Sequence, residues 1–176
     1  MSTPTRTTPD ASPYFTSIPS RMRFRDRVRA RVGSAELLVF RAGGERFAVE
    51  LKAVDEAIEA PDVRPVPESP PTLLGVFTHR EQLLPLYSPG TILGVPLERP
   101  AHALVLRGAG RLVGVAVDDV DDVLRVDLNA LRDPPATDNA DDLLLALLLR
   151  DRELIAVVDG RALVAACQAT PLPTEL

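Results

Sequence analysis

Val39-Phe40-Arg41-Ala42-Gly43-Gly44-Glu45-Arg46-Phe47-Ala48-Val49-Glu50-Leu51 lies without a gap over Val105-Leu106-Arg107-Gly108-Ala109-Gly110-Arg111-Leu112-Val113-Gly114-Val115-Ala116-Val117. The match runs on from Val54-Asp55-Glu56 to Val120-Asp121-Asp122, and a weaker echo sets Leu83-Leu84-Pro85-Leu86-Tyr87 over Leu154-Ile155-Ala156-Val157-Val158. A chain that repeats itself implies two packed units of one design, with a cleft between them where something can bind.

Within each copy the pattern is short β segments parted by turn residues. Leu37 to Arg41 and Phe47 to Leu51 flank Ala42-Gly43-Gly44-Glu45, where consecutive glycines allow positive φ and hence a hairpin turn. Leu104 to Arg107 and Leu112 to Val117 repeat that hairpin, and Val54 to Ile58 and Val120 to Val126 add a third, acidic-edged strand to each copy. Prolines 61, 65, 67, 70 and 71 break the next stretch, since each removes a backbone donor. A further hairpin follows in each copy, Leu73 to Thr78 with Gln82 to Tyr87, and Leu143 to Leu149 with Glu153 to Val158. Helical turns are predicted at Thr91 to Leu93 and Arg161 to Ala166, and the acidic, Pro-containing stretch Leu131 to Asp142 reads as an exposed loop. Small five-stranded antiparallel sheets remove their exposed edges by closing, so the expected fold is all-β, a pair of five-stranded barrels.

The 176 residues suffice for a sizeable core, and although 45% are hydrophobic, no run approaches the roughly 18 apolar residues of a membrane span. The first twenty residues show neither a secretory signal nor an anchor, which predicts a protein that does not insert into membranes. One cysteine, Cys167, excludes an internal disulfide and agrees with a reducing, cytoplasmic setting. The net charge of −5 hides an asymmetry, because residues 1–34 hold seven arginines against Asp10 and Asp26. Arg21, Arg23, Arg25, Arg27, Arg29 and Arg31 recur at every second position, which an extended chain would align and a helix would scatter. Residues 1–34 are therefore expected as a flexible, disordered Arg-rich tail, with a contact to lipid, nucleic acid or an acidic protein as its functional reading. The folded domain is expected over 35–168, with halves at 35–100 and 101–168 that either close separately or exchange strands, and 169–176 as a C-terminal tail.

Catalytic chemistry is not in view. Asp159-Gly160 lacks the Ser or Thr of an aspartic protease turn, and its counterpart in the first half is Ser88, so no symmetric dyad forms. Asp118, Asp119, Asp121 and Asp122 alternate with valines as a solvated strand edge does, without the ordered ligands and mid-loop Gly of a calcium loop. Cys167 sits among alanines and reads as a small core residue, and nothing places His79 or His102 beside it. No P-loop, nucleotide fingerprint or Gly-x-Ser-x-Gly occurs. No catalytic residue, metal or cofactor is expected, which leaves a recognition surface.

Three stretches, taken together and in order, resemble the chemotaxis coupling protein CheW and the CheW-like regulatory domain of the histidine kinase CheA. They are Leu38-Val39-Phe40 through Phe47-Ala48-Val49 to Val54-Asp55-Glu56; Leu74-Gly75-Val76 through Arg80 to Leu84-Pro85-Leu86; and Val113-Gly114-Val115-Ala116-Val117-Asp118-Asp119-Val120. The similarity covers about Leu37 to Leu163. It implies two SH3-like barrels side by side, and a non-catalytic adaptor joining the cytoplasmic tips of methyl-accepting chemoreceptors to the CheA regulatory domain in membrane-associated arrays. With no phosphotransfer, ATP-binding or receiver segment, a stand-alone coupler is implied rather than a kinase. By the same resemblance Val54, Glu56, Arg80, Leu83 and Val120 match the family's partner contacts.

Arg80, near a hairpin tip, can hold a carboxylate through paired hydrogen bonds, and Glu56 is a candidate internal partner that fixes it beforehand. The family's Asn-Leu-Arg-Gly turn is Thr78-His79-Arg80-Glu81 here, and its usual Asp-Leu is Ser88-Pro89, which implies an altered partner surface. The alternatives are a divergent scaffold of the same fold in another signalling pathway, and a barrel module that binds nucleic acid or anionic surfaces through the arginine tail. The acidic, aromatic-poor folded part speaks against nucleic acid.

Overall fold

The computed structural model describes residues 22–97, 100–108, 110–135 and 143–169. These residues form α1 (Phe24–Ala30), β1 (Ser34–Ala42), β2 (Glu45–Glu50), β3 (Val54–Glu59), β4 (Leu73–His79), β5 (Gln82–Tyr87), α2 (Gly90–Leu93), β6 (His102–Arg107), β7 (Leu112–Val117), β8 (Asp119–Asp127), β9 (Leu144–Arg150), β10 (Glu153–Val158) and α3 (Gly160–Ala169). Single 3₁₀ turns at Leu51–Ala53 and Leu128–Ala130 lead into β3 and out of β8.

The strands make two five-stranded sheets, in the orders β8-β1-β2-β10-β9 and β3-β6-β7-β5-β4. Exchanging the two halves of the chain turns one order into the other. Each sheet takes its leading hairpin from one half and its other three strands from the opposite half, joined through the parallel pairs β2–β10 and β5–β7. Both sheets roll up. Beyond β3, Arg64 exchanges two backbone hydrogen bonds of 2.8 Å with Val76 of β4, and beyond β8, Arg132 exchanges two with Leu147 of β9. Each bridge ties one edge of its sheet to the other and closes a small barrel, as a closed sheet leaves no edge to pair with other chains. Gly75 permits the first bridge, for at φ +152 an added Cβ would collide with the Arg64 carbonyl.

Strand exchange explains the composition of the leading hairpins. Leu37 through Phe40 are buried without interruption, as are Ala103 through Leu106 and Val113 through Val117. One face of each hairpin fills its own barrel; the other packs against the opposite hairpin. Leu38, Phe40, Phe47 and Val49 thus meet Leu104, Leu106, Val113 and Val115 in a core between the barrels. Phe40 and Phe47, register partners across β1 and β2, stack there with ring centroids 5.8 Å apart. Strands buried on both faces read as continuous apolar runs rather than alternation. Separate clusters fill the barrels themselves, with Leu37, Val39, Ala48 and Ile155 in one and Phe77, Leu86, Ala103 and Ala116 in the other.

The expectation of a disordered tail reaching residue 34 is corrected. Phe24 to Ala30 form a helix rather than an extended segment, and Val28 is buried in the core of the first barrel with Phe24 packed against it. That i, i+4 apolar pair supplies a seam that the alternating arginines obscure. Arg25 pairs with Asp159 at 2.9 Å, and Arg27 donates to the Ser34 carbonyl at 2.6 Å and reaches Glu50 at 3.5 Å. Residues 1–21 and 170–176 lie outside the described residues, as does 136–142 of the acidic loop.

Candidate functional site

The site is built on a β-bulge. Along β3 the register with β6 passes from Val54 opposite Leu106 to Glu56 opposite Val105, leaving Asp55 without a ladder partner. A bulge re-aims the side chain of its extra residue. Asp55 turns toward the end of β6, where its Oδ1 accepts from Arg107 Nη2 at 3.1 Å. Its Oδ2 lies 3.3 Å from His79 Nε2 and 3.6 Å from Arg80 Nη1. β3 and β4 are opposite edges of their sheet, so Asp55 is a side-chain fastening across the barrel closure.

The second half repeats the device. The register of β8 with β1 skips Asp121, which accepts from Arg41 Nε at 3.1 and 3.2 Å and pairs with Arg46. Arg41 and Arg107, like Asp121 and Asp55, are equivalent positions of the repeat.

Arg80 and Glu81 form the two-residue tip between β4 and β5, at φ 47° and 64°. Such left-handed residues match the twist of a tight hairpin, and Asp151 and Arg152 repeat them in the other half at φ 50° and 66°. The tip thus keeps its turn although the permissive glycine of the related pattern is absent. From it the Arg80 Nη2 reaches Glu56 Oε2 at 3.4 Å, so the two side chains paired in the sequence reading do meet. His79, only 5% exposed, lies beneath them and 3.5 Å from the same Glu56 oxygen. The Arg80 side chain is nonetheless 67% exposed. An exposed pair of this kind contributes roughly 0–1 kcal/mol to stability, so its consequence is orientation: a guanidinium held by two carboxylates with donors still facing solvent.

Leu83 follows on β5, opposite Thr78 in register and 67% exposed, where an apolar side chain gains most from being covered. Val54, at the head of β3, is half-buried against the core between the barrels. Val120 occupies the equivalent position on β8, also half-buried there, but in the other sheet. Glu56, Arg80 and Leu83 therefore form the exposed part of the predicted set, while the two valines belong mainly to packing.

Sequence reasoning missed Asp55 as the hub, together with His79 and Arg107. The available signal was the repeat itself, which keeps an arginine at 41 and 107 and an aspartate at 55 and 121. Asp55, Glu56 and His79 bring one ligand atom each within 4.8 Å of one another. The donor set suits a divalent ion poorly, because the guanidiniums of Arg80 and Arg107 already neutralise these carboxylates.

Asp159 serves as a helix cap. Its Oδ1 accepts from the backbone N–H of Arg161 at 2.9 Å and of Ala162 at 3.2 Å at the start of α3. Ser88 stands in the equivalent place before α2, accepting from Gly90 N–H at 3.5 Å. Cys167 is buried in the core between the barrels, where loss of solvation pushes its thiol up to about 12. Burial also raises Glu50 above the ordinary carboxylate range, while Arg27 and Lys52 pull it back.

Residues 36–168 match the family model of the CheW-like domain. The chain is 34% identical over 97 residues to the "Chemotaxis protein CheW" of Rhizobium meliloti, a match spanning 53% of this chain and 63% of that protein. It is 29% identical over 136 residues to the "Probable chemotaxis protein CheW" of Rhizobium etli, covering 74% and 88% respectively. The crystal structure of the scaffolding protein TtCheW from Thermoanaerobacter tengcongensis superposes with a TM-score of 0.68 at 18% identity, over 78% of this chain and 97% of that one. Helix α1 precedes the matched region.

Proposed function

Since the chain belongs to the CheW-like domain family, we propose that it is a non-catalytic chemosensory adaptor coupling the cytoplasmic tips of chemoreceptors to the regulatory domain of the kinase CheA. Glu56, Arg80 and Leu83 mark its partner-binding surface, with the half-buried Val54 and Val120 packed against the core between the barrels, and the protein works in the cytoplasm on membrane-bound receptor arrays. Chemotaxis proteins named CheW among its relatives support the pathway.

The observation that carries the site is the Arg80–Glu56 pair at 3.4 Å, set beside the exposed Leu83. A guanidinium already oriented by Glu56 and Asp55 loses little side-chain freedom when it engages a partner carboxylate. Leu83 alongside it adds apolar area whose burial contributes about 25 cal/mol per Å². Charge sets the register and the leucine adds affinity, the division expected of a protein interface. No reacting group is required, in keeping with a helix cap at Asp159 and a core thiol at Cys167.

Binding of the full chain to a CheA regulatory domain and to a receptor-tip fragment, measured by calorimetry, tests the reading. Arg80→Ala and Leu83→Ala should each weaken one of the two associations about tenfold or more, with the melting temperature within a few degrees of wild type. Unchanged affinity for both partners would remove this surface from the site, and failure of the unaltered chain to bind either would reject the adaptor.

A further inference from the structure

Where α1, α3 and the end of β6 meet, a recess of about 310 Å³ is lined by Arg23, Lys52, Arg107 and Arg161. Glu50 and Asp159 line it too, but both are committed: Glu50 to Arg27, and Asp159 to Arg25 and to two backbone N–H groups. The side chains of Arg23, Lys52 and Arg161 have no hydrogen bond or ion pair among the described residues, and Arg107, though it touches Asp55, is 62% exposed. This concentration of uncommitted positive charge stands on a chain of net charge −5. A general polyelectrolyte effect would make such a chain repel acidic ligands; attraction has to come from a local feature.

We propose that this recess binds a carboxylate-bearing segment of a partner protein, whose Asp or Glu side chains enter between Arg161, Arg23 and Lys52. Two arginines offer planar, paired N–H donors of the kind that carboxylates accept, and Lys52 adds a third cation. Nucleic acid fits less well. Its phosphates run on in series and need a basic stripe with exposed aromatic rings, whereas here the uncommitted cations converge on one recess and Phe24 beside them is half-buried. α1 is essential to the arrangement, since it supplies Arg23 and, through Arg25 and Arg27, neutralises the two acids that would otherwise oppose the ligand.

A hexaglutamate peptide, inorganic phosphate and a thymidine oligonucleotide, each titrated into the full chain at low ionic strength and followed by amide chemical shifts, test this. Hexaglutamate should saturate with shifts around Gly108, Gly160 and Arg161. The combination of Arg23→Glu with Arg161→Glu should weaken it at least tenfold, Arg161→Lys, which keeps the charge but loses the paired donors, should weaken it several-fold, and Arg132→Glu, in a different cleft, should leave it unchanged. Thermal melts verify that each variant folds, and Lys52→Gln offers a milder change with a several-fold loss expected. Absence of saturable binding, or binding indifferent to residues 23 and 161, overturns the proposal. Phosphate saturating as tightly as the peptide would make this a small-anion site, and tighter oligonucleotide binding through the same arginines would make it a nucleic-acid site; either result also overturns it.

Discussion

Asp55 accepts from Arg107 at 3.1 Å, from a bulge that puts it out of register with the strand carrying Arg107. The same aspartate touches His79 and Arg80 on the far edge of the sheet, so one carboxylate both fastens the barrel and aims the arginine of the candidate site. Its counterpart Asp121 repeats the bulge and the arginine without the histidine.

Asp55→Ala should therefore cost stability and orientation together. It leaves the buried His79 with a weakened partner set and releases two guanidiniums, for an expected loss of about 1–3 kcal/mol in chemical denaturation. Asp121→Ala, which removes a less buried carboxylate (19% exposed against 11% for Asp55) and leaves no buried histidine behind, should cost less. Equal losses at the two sites would show that His79 adds nothing to the fastening.

Glu81 occupies a left-handed conformation at φ 64°, which is unfavourable for a residue with a Cβ by roughly 1–2 kcal/mol. Glycine regains that amount less its own unfolded-chain entropy. Glu81→Gly should thus stabilise the protein by up to about 1 kcal/mol. A lower denaturation midpoint in this variant would show that the Glu81 side chain makes a compensating contact.

A double-mutant cycle on Arg80 and Glu56 separates orientation from stability. In the free protein the coupling should stay near 0.2–1 kcal/mol, as exposed pairs do. Measured on partner binding, Glu56→Gln should weaken the association in proportion to its loss of control over Arg80, and should have no further effect in an Arg80→Ala background.

Glu50 holds its proton more tightly in the folded state than in the unfolded chain, because burial disfavours its charge. Where the unfolded state binds fewer protons than the folded one, stability falls as pH rises. Its contribution is thus fully present below the ordinary glutamate value of 4.5 and is lost as pH climbs through the raised folded value. Glu50→Gln should flatten that part of the stability–pH curve, read from urea midpoints between about pH 4 and 7. An unchanged slope would show that Arg27 and Lys52 cancel the burial.

Cys167, with its thiol pushed to about 12 by burial, should resist thiol reagents at pH 8 in the native protein. Labelling should proceed only through opening, so its rate should rise with denaturant in step with global unfolding. Fast labelling in buffer would indicate that α3 detaches locally from the core between the barrels.

Glycines, alternation and self-similarity were enough to locate the strands and the hairpins, since these depend on neighbours within a few residues. α1 was misjudged because six arginines at alternate positions outweighed the single apolar pair Phe24 and Val28. Glu56 and Arg80 could be paired in advance from the chemistry of a hairpin-tip guanidinium and a carboxylate, but Asp55 and His79 could not, because a bulge and a barrel closure bring them together.

The sequence alone determined a duplicated all-β chain with its turns in place, for those properties reside in local backbone preference. Only the tertiary structure decided which hairpin joins which barrel. The two leading hairpins are near copies, apolar on both faces, so either half could have kept its own. Packing them against each other buries Leu38, Phe40, Leu104 and Val115 in a shared core, and it is that non-local burial, invisible to any window of sequence, that fixes the exchange and the place of Arg80 beside Glu56.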